Sequence, residues 1–304
     1  MKKILFNINT LTVGGVERLT IDIVNNLKLR DSEIILIVNS SEIIDKKFKE
    51  QIDKNIKIIF LESKKEIEFI KKIKNGNFFY KMLYRIIRLY YKNNKLRRIN
   101  SYIKNNPECE IYIDYSGSAL KFIENIKIKR KIVWQHGVDY EKEPARLSKI
   151  ENRLDGYNEI IVTCKEMEEK YKRLFPRLKN KIKMIYNFVD EERIKIKSNE
   201  KDSLSEKDKQ LIKENYCVAV MRLDGIQKDP KTIINAFEIL KNKGIKEKMY
   251  IIGDGEQRKE LEKIIIEKKL QKEVLLLGTK VNPYIWIKNA DIFIHSSFFG
   301  LFVK

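Results

Sequence analysis

Short apolar runs alternate with helical patterns along this chain, and this alternation restricts the fold more than any other feature of the sequence. Helical stretches separate most of the strand-like runs, which lie at residues 3–8, 34–38, 56–61, 111–114, 131–135 and 159–163. Runs that are apolar throughout are typical of parallel strands buried on both faces. Because strands alternate with helices, the sequence predicts βαβ units around a parallel sheet.

The alternation pauses in a polar segment and then restarts, with strands predicted at residues 216–221, 248–252, 274–277 and 291–295. A length of 304 residues is typical of two α/β domains. We therefore predict an α/β fold with two Rossmann-like domains, of which the second is incomplete. The predicted parts are a first domain at residues 1–190, a polar linker with little core at 191–214, and a partial second domain at 215–304.

The chain is strongly basic, with 63 Lys and Arg against 43 Asp and Glu and a net charge of +20. The electric field of so positive a chain favours anionic partners. An AT-rich coding bias would also explain lysines spread along the chain. Three widely separated cysteines and two histidines fit neither a disulfide framework nor a metal site. With no signal-like start and no apolar run of about 20 residues, we expect a cytoplasmic protein without a bound metal.

The loop after the first predicted strand contains Gly14 and Gly15, directly before a helix. Ligands of parallel α/β sheets bind at the carboxyl ends of the strands. Glycines let a ligand approach the backbone closely, and a helix N-terminus favours an anion. A plain strand-to-helix turn explains the pair as well, and the spacing matches neither a dinucleotide fingerprint nor a P-loop.

A second candidate is His136, which follows an apolar strand. At the carboxyl end of a strand, an imidazole can donate a hydrogen bond to a phosphate or a sugar hydroxyl. A histidine that only caps the loop is the structural alternative.

The second half offers Arg222 at a strand end and Lys228 before a helix. Two cations across one strand-to-helix loop can clamp a diphosphate, and the fork of Arg adds bidentate geometry. In so basic a chain, solvated surface residues are the alternative. Gly253 and Gly255 form a further tight strand-to-helix loop, which is unspecific by itself.

Together, in order and spacing, these loops resemble the retaining glycosyltransferases of GT-B architecture known as glycosyl transferases group 1 or family 4. Residues 14–18 (Gly-Gly-Val-Glu-Arg) resemble the family's Gly-Gly-Ala-Glu-Arg loop. Residues 183–190 resemble a stretch that ends at Asn-Gly-Val-Asp, with Phe188 in place of Gly. Residues 221–236 resemble the Gly-Arg-Leu…Lys-Gly…Ala stretch, with Met221 and Asp229 at two usual Gly positions.

The resemblance implies a role for each matching residue. Arg222 and Lys228 match the pair that binds the donor diphosphate, and His136 matches a histidine near the donor sugar. Gly15, with Gly14 beside it, lies in the loop that faces donor phosphate and acceptor. The strand-end loop of Gly253 and Gly255 is taken as donor-binding. The loop from Thr279 to Val281 matches the one that contacts the nucleotide base.

The resemblance ends soon after Ser296 and Ser297. The family continues there into a Glu-Gly turn and a second Glu, which hold the donor sugar and ribose, whereas this sequence runs through Gly300 to Lys304 without either Glu. We therefore expect a C-terminally truncated second domain and a chain that transfers sugar poorly or not at all.

One basic segment, residues 78–98 from Phe78 to Arg98, predicts a contact with anionic membranes. Residues 69–106 contain eleven Lys or Arg and no acidic residue. At helical spacing, an apolar arc with Ile86 faces away from a basic arc with Arg85 and Arg88, which is typical of helices on a membrane surface. A helix that packs its apolar face on the first domain is the alternative, and the two can coexist.

We expect a cytoplasmic transferase, peripheral on the inner face of the membrane. By resemblance it moves a sugar from a nucleotide-diphosphate donor to a glycan or lipid-linked acceptor in surface polysaccharide synthesis, with no cofactor and no metal. The alternatives are a sugar-nucleotide epimerase of the same fold and a non-enzymatic basic remnant that binds membranes. Nucleic acid is not expected as a partner, because the basic segment lacks a recognisable reading module.

Overall fold

The computed structural model describes residues 2–11, 14–27, 32–40, 49–74, 78–137, 140, 144–202, 204–225 and 227–297. The chain divides into two compact units between Val189 and Asp190. Each unit is built on one parallel sheet, as the alternation of strands and helices predicts.

The first unit has a parallel sheet in the order β3-β2-β1-β4-β5-β6-β7. The chain runs outward from β1 to β3 on one side and from β4 to β7 on the other, so the order reverses between β1 and β4. In chain order its elements are β1 (Lys2–Ile8), α1 (Gly15–Asn26), β2 (Ser32–Val38), β3 (Lys57–Phe60), α2 (Lys64–Lys74), α3 (Phe78–Asn105), β4 (Cys109–Asp114), β5 (Arg130–Gln135), α4 (Leu147–Asp155), β6 (Glu159–Val162), α5 (Lys165–Leu174) and β7 (Ile182–Met184).

Side chains that alternate along these strands fill two cores, one on each face of the sheet. Leu5 and Tyr112 belong to the core covered by α3, α4 and α5. Phe6 and Ile113 belong to the core covered by α1. Burial on both faces explains why the strands are apolar throughout.

The second unit has a smaller parallel sheet in the order β10-β9-β8-β11. One face packs against α8 and α9, and the other packs against Trp286 and Leu204. In chain order its elements are α6 (Glu191–Asn199), α7 (Glu206–Leu211), β8 (Cys217–Val220), α8 (Pro230–Asn242), β9 (Met249–Ile252), α9 (Arg258–Glu267), β10 (Val274–Gly278), α10 (Tyr284–Asn289) and β11 (Ile292–Phe293).

The segment at residues 191–214, predicted as a polar linker with little core, belongs to the second unit. The structure contains α6 and α7 there, and Leu204 is buried in the second unit's core. Nζ of Lys280 lies 2.8 Å from Asp208, and a side-chain nitrogen of Arg193 donates to the Tyr284 hydroxyl at 3.0 Å. The segment is polar because its partners are polar and because most of its surface faces water.

A buried polar network lies at the carboxyl ends of β1, β2 and β4. The amide of Asn7 donates to Asn39 at 2.8 Å, and Asn39 donates to the Ser118 hydroxyl at 2.7 Å. The carboxylate of Asp114 accepts from the Ser118 and Ala119 amides, both at 2.9 Å, and from the Tyr157 hydroxyl at 2.7 Å. Burial raises the pKa of Asp114 to about 6, against the effect of these hydrogen bonds.

We predict that Asp114 makes the first unit less stable as the pH rises. Its folded-state pKa lies above the unfolded value of about 3.9, so the unfolded chain releases this proton first. The free energy of unfolding should therefore fall by on the order of 3 kcal/mol between about pH 4 and pH 6, relative to Asp114→Asn. Urea unfolding followed by Trp134 fluorescence in a Trp286→Phe background measures this difference in the first unit.

Asp155→Asn is the matched control, because Lys181 holds the pKa of exposed Asp155 below its usual value. A depressed carboxyl pKa gives stability that is lost as the pH falls, so this difference should have the opposite sign. An Asp114 difference that stays flat across the window would contradict the prediction.

Candidate functional site

The loops that carry the predicted donor residues meet at one edge of the second sheet. All four strands are parallel, so the carboxyl ends of β8, β9, β10 and β11 lie side by side. Backbone hydrogen bonds join three of the loops: Leu223 donates to the Asp254 carbonyl at 3.0 Å, and Gly253 donates to the Gly278 carbonyl at 2.9 Å. The edge is therefore a connected surface.

Gly253 and Gly255 allow the β8 loop and the β9 loop to touch through their backbones. A Cβ at Gly253, where φ is +138°, would lie 1.8 Å from the Met221 carbonyl oxygen. A Cβ at Gly255 would lie 2.4 Å from the Leu223 carbonyl oxygen. Both glycines thus support the loop that carries Arg222, and their predicted contact with the donor stays a prediction.

Arg222 points into solvent at the end of β8, with 68% of its side chain exposed and its guanidinium 3.2 Å from Asp224. The same Asp224 carboxylate accepts a 3.3 Å hydrogen bond from the Gln227 backbone amide. Asp224 therefore shapes the loop and lies beside the guanidinium. The arrangement leaves Arg222 accessible to an anionic ligand.

Lys228 lies across the same loop and contacts a residue that the sequence interpretation did not include. Its Nζ is 3.0 Å from Nε2 of His295, just beyond β11. Partial burial, followed by the charge of Arg222, lowers the pKa of Lys228. Partial burial and the Lys228 ammonium likewise lower the pKa of His295. A neutral His295 can accept a hydrogen bond from the ammonium and hold it in place.

The segment after β11 also packs on the start of α8. The Ser296 hydroxyl donates to the Asp229 carbonyl at 2.5 Å, and a β-bridge joins Lys228 to Ser297. Asp229 caps α8 by accepting a 3.2 Å hydrogen bond from the Thr232 amide.

The signal that could have identified His295 is its position at the carboxyl end of a predicted strand, the criterion that selected His136.

Thr279 and Val281 follow β10 at the same edge. Thr279 is exposed, and 69% of Val281 is exposed. Gly278, at φ +71°, turns the chain out of the strand before them. The structure thus places both residues on an accessible loop at the cationic edge, the carboxyl edge of the second sheet where Arg222 and Lys228 lie. Their contact with a nucleotide base stays a prediction.

Gly14 and Gly15 begin α1 in the first unit, at the carboxyl end of β1. Gly14 is the N-cap in an extended conformation, and a Cβ at Gly15 would meet no atom within 4 Å. The Glu17 carboxylate lies over Gly14 and accepts from the Thr10 hydroxyl at 3.0 Å. A side-chain anion therefore occupies the helix N-terminus at which we expected a phosphate.

His136 lies at the carboxyl end of β5, packed edge-on against Tyr115 with ring centroids 4.5 Å apart. Burial lowers the pKa of His136 to about 4, although a hydrogen bond with the Tyr115 backbone acts to raise it. The ring is therefore neutral near pH 7. Nε2 is buried and has no partner among the described residues, which assigns the Tyr115 hydrogen bond to Nδ1. A neutral ring that donates through Nδ1 leaves Nε2 as an acceptor, and the expected hydrogen bond from His136 to a phosphate or a sugar hydroxyl stays a prediction.

Within the part of the chain that the structure describes, no group of His, Cys, Asp and Glu side chains could hold a metal ion. In the same residues, no helix combines the length and hydrophobicity that a membrane span requires. Residues after Ser297 lie outside the described residues, and the expected truncation stays a prediction.

The family of glycosyl transferases group 1 matches residues 200–301, which include the cationic edge. An uncharacterized glycosyltransferase of Methanocaldococcus jannaschii is 31% identical over 139 residues, 45% of this chain and 34% of that protein. The N-acetylgalactosamine-N,N'-diacetylbacillosaminyl-diphospho-undecaprenol 4-alpha-N-acetylgalactosaminyltransferase of Campylobacter jejuni is 33% identical over 119 residues, 39% of this chain and 29% of that enzyme. The chain thus spans about a third of the length of these curated relatives.

Solved structures share the fold across nearly the whole chain. HepE of Anabaena, crystallised with UDP-glucose, matches with a TM-score of 0.69 and 18% identity over 98% of this chain and 74% of that protein. TarM matches with a TM-score of 0.66 and 14% identity over 98% of this chain and 80% of that protein.

The two parallel α/β units and the likeness to these solved structures place the fold in the GT-B class. The second unit carries the cationic edge. Residues 200–301 match glycosyl transferases group 1, and the chain is similar to glycosyltransferases of this architecture. The resemblance and the fold class predicted from the sequence are confirmed. The matches are to glycosyltransferases, which favours that prediction over the epimerase.

We predict that Gly253→Ala destabilises the second unit by about 2–4 kcal/mol, because the added Cβ needs both a strained φ and displacement of the Met221 carbonyl. Urea unfolding followed by Trp286 fluorescence in a Trp134→Phe background reports on this unit. Gly244→Ala is the control: its φ is +76°, but a Cβ there meets no atom within 4 Å. A similar decrease in the free energy of unfolding in the two variants would contradict a specific role for the contact with Met221.

Proposed function

We propose that this chain is a glycosyltransferase that moves a sugar from a nucleoside diphosphate donor to a glycan or lipid-linked acceptor in surface polysaccharide synthesis. The observation that carries the proposal is the exposed cationic edge of the second unit, where Arg222 and Lys228 flank one loop. HepE, which shares the fold, was crystallised with UDP-glucose, and this supports a sugar nucleotide as the donor here.

In the proposed reaction, Arg222 and Lys228 of the second unit stabilise the leaving diphosphate. When the sugar leaves, negative charge develops on the diphosphate, and fixed cations stabilise that charge. The Asp224 carboxylate beside Arg222 and the His295 ring beside Lys228 hold these cations near the loop before a ligand arrives. Little reorganisation is then needed during the reaction, and the anomeric configuration is retained if the chain follows its family.

In the first unit, His136 offers a neutral acceptor rather than a charged acid. Its Nε2 is buried and unpartnered in this structure, so a sugar hydroxyl that reached this strand end would meet a hydrogen-bond acceptor that could orient the sugar. This role agrees with the resemblance-based assignment of His136 to the donor sugar.

We predict that Arg222→Ala and Lys228→Ala each weaken UDP binding about tenfold, since charged hydrogen bonds of this kind contribute roughly 1.5–3 kcal/mol. Titration calorimetry of the purified chain with UDP is the measurement. Lys246→Ala, an exposed lysine in the loop before β9 at the opposite edge of the same sheet, should bind UDP like the wild type. Unchanged affinity in both edge variants would rule out the clamp.

We also propose that α3 holds the protein on anionic membranes at the inner face. The carboxyl-terminal half of the helix packs on the first unit, with Ile99 and Ile103 buried. Its first half exposes an apolar surface formed by Ile86, Leu89 and Tyr90, which are 63%, 61% and 59% exposed. Packing and membrane contact thus involve different halves of one helix. The side chains of Arg85 and Arg88, on the predicted basic arc, lie outside the described residues.

We predict that Ile86→Gln/Tyr90→Gln reduces sedimentation with phosphatidylglycerol vesicles at least about fivefold, since burial of each apolar side chain contributes roughly 1.5–3 kcal/mol. Ile196→Gln/Ile239→Gln is the matched control, because these residues are 62% and 55% exposed in the second unit. Equal sedimentation of the two double variants would leave α3 without a membrane role.

A further inference from the structure

His295 presents an exposed imidazole at the cationic edge of the second unit. The backbone just before it is fixed to the sheet, because the Ile294 amide donates to the Val218 carbonyl at 2.8 Å. The Phe293 ring lies nearly parallel to the imidazole, at an angle of 16° with the ring centroids 6.5 Å apart. The imidazole is therefore anchored beside the loop of Lys228 and is still open to solvent.

The imidazole and the Lys228 ammonium form one hydrogen-bonded pair, with Nζ 3.0 Å from Nε2 of His295. The ammonium has no lone pair, so it donates and Nε2 accepts. Partial burial, followed by the charge of Lys228, lowers the pKa of His295, so the ring is neutral near neutral pH. The pair therefore carries one positive charge, although each of its members can carry one.

The charged groups on the elements that adjoin the ring do not favour a second proton on this pair. Arg222 lies on the same loop as Lys228, and its charge lowers the pKa of that lysine. In the first turn of α8, Lys231 pairs with Glu260 at 2.6 Å. The carboxylates on these elements contact other groups: Asp224 contacts Arg222, Asp229 the Thr232 amide, and Asp291 the Tyr216 amide. The charge in direct contact with the ring is thus positive.

A bound diphosphate reverses this balance, because an anion beside an imidazole favours the charged form of the ring. Lys228 ends a flexible stem and can turn its donors to the anion. Nε2 of His295 is then free to take a proton from the solvent and to donate to the same anion. Resting on the proposed function, we infer that His295 takes up a proton when the sugar nucleotide binds and becomes the third cation on its diphosphate.

Proton uptake makes binding depend on pH in one direction. The pKa of His295 is lowered in the free protein and is higher in the complex. The affinity is therefore greatest at low pH, and it falls as the pH rises through the pKa of the bound form. The other histidine of the chain, His136, stays neutral across this range, because burial lowers its pKa to about 4.

The test is calorimetric titration of the full chain with UDP at about pH 6.5, in Pipes and in Bis-Tris buffers, whose heats of protonation differ. His295→Gln is the matched variant, because its amide oxygen can accept from Lys228 but takes up no proton. UDP also titrates in this range, and comparison with the variant removes that contribution. We expect the wild type to take up about half a proton more than the variant. The ratio of wild-type to variant affinity should rise at least about threefold from about pH 8 to about pH 6.

Equal proton uptake by the wild type and His295→Gln would overturn the inference, as would an affinity ratio that is the same at both pH values. A histidine that only positions Lys228 gives this second result, since Gln preserves the hydrogen bond. In either case UDP still binds, and the proposed function stands. A wild type that does not bind UDP at either pH would overturn both the inference and the proposed function.

Discussion

Parallel strand pairing is the constraint on which the other features of this chain depend. Because neighbouring strands run in one direction, every loop that follows a strand emerges at the same edge of its sheet. In the second unit this brings Arg222, Gly253, Thr279 and His295 to one edge, although they are spread over more than seventy residues of sequence. The same rule places His136 at the carboxyl edge of the first sheet.

Polar and charged side chains lie at the carboxyl edge of each sheet, where the apolar core ends. The second unit carries cations there, and the first carries a buried carboxyl group. In the second unit, Lys228 is partly buried beside Arg222, which lowers its pKa. Arg222 is paired with Asp224, and Lys228 lies beside His295, which is the arrangement from which we propose a diphosphate site. In the first unit the buried carboxyl of Asp114 has its pKa raised to about 6. Its neighbours are hydrogen-bond donors, which makes this edge a rigid support.

The strands could be predicted because buried parallel strands are local apolar runs, and the runs that precede Gly14, His136 and Arg222 are all strands in the structure. The three-residue strand β7 was missed because a lysine interrupts so short a run. The segment at 191–214 was taken for a linker because its contacts, such as Asp208 with Lys280, join residues far apart in sequence. Likewise, His295 reaches Lys228 only because β11 pairs with β8, a neighbour relation that no local pattern reveals.

The central claim is that the carboxyl edge of the second sheet binds a nucleoside diphosphate through its two cations. The most direct test is a crystal structure of this chain with UDP bound. The account predicts phosphate oxygens within hydrogen-bond distance, about 2.7–3.2 Å, of the Arg222 guanidinium and the Lys228 ammonium. A diphosphate that lies away from both side chains, with the loops after β8 and β9 untouched, would contradict it.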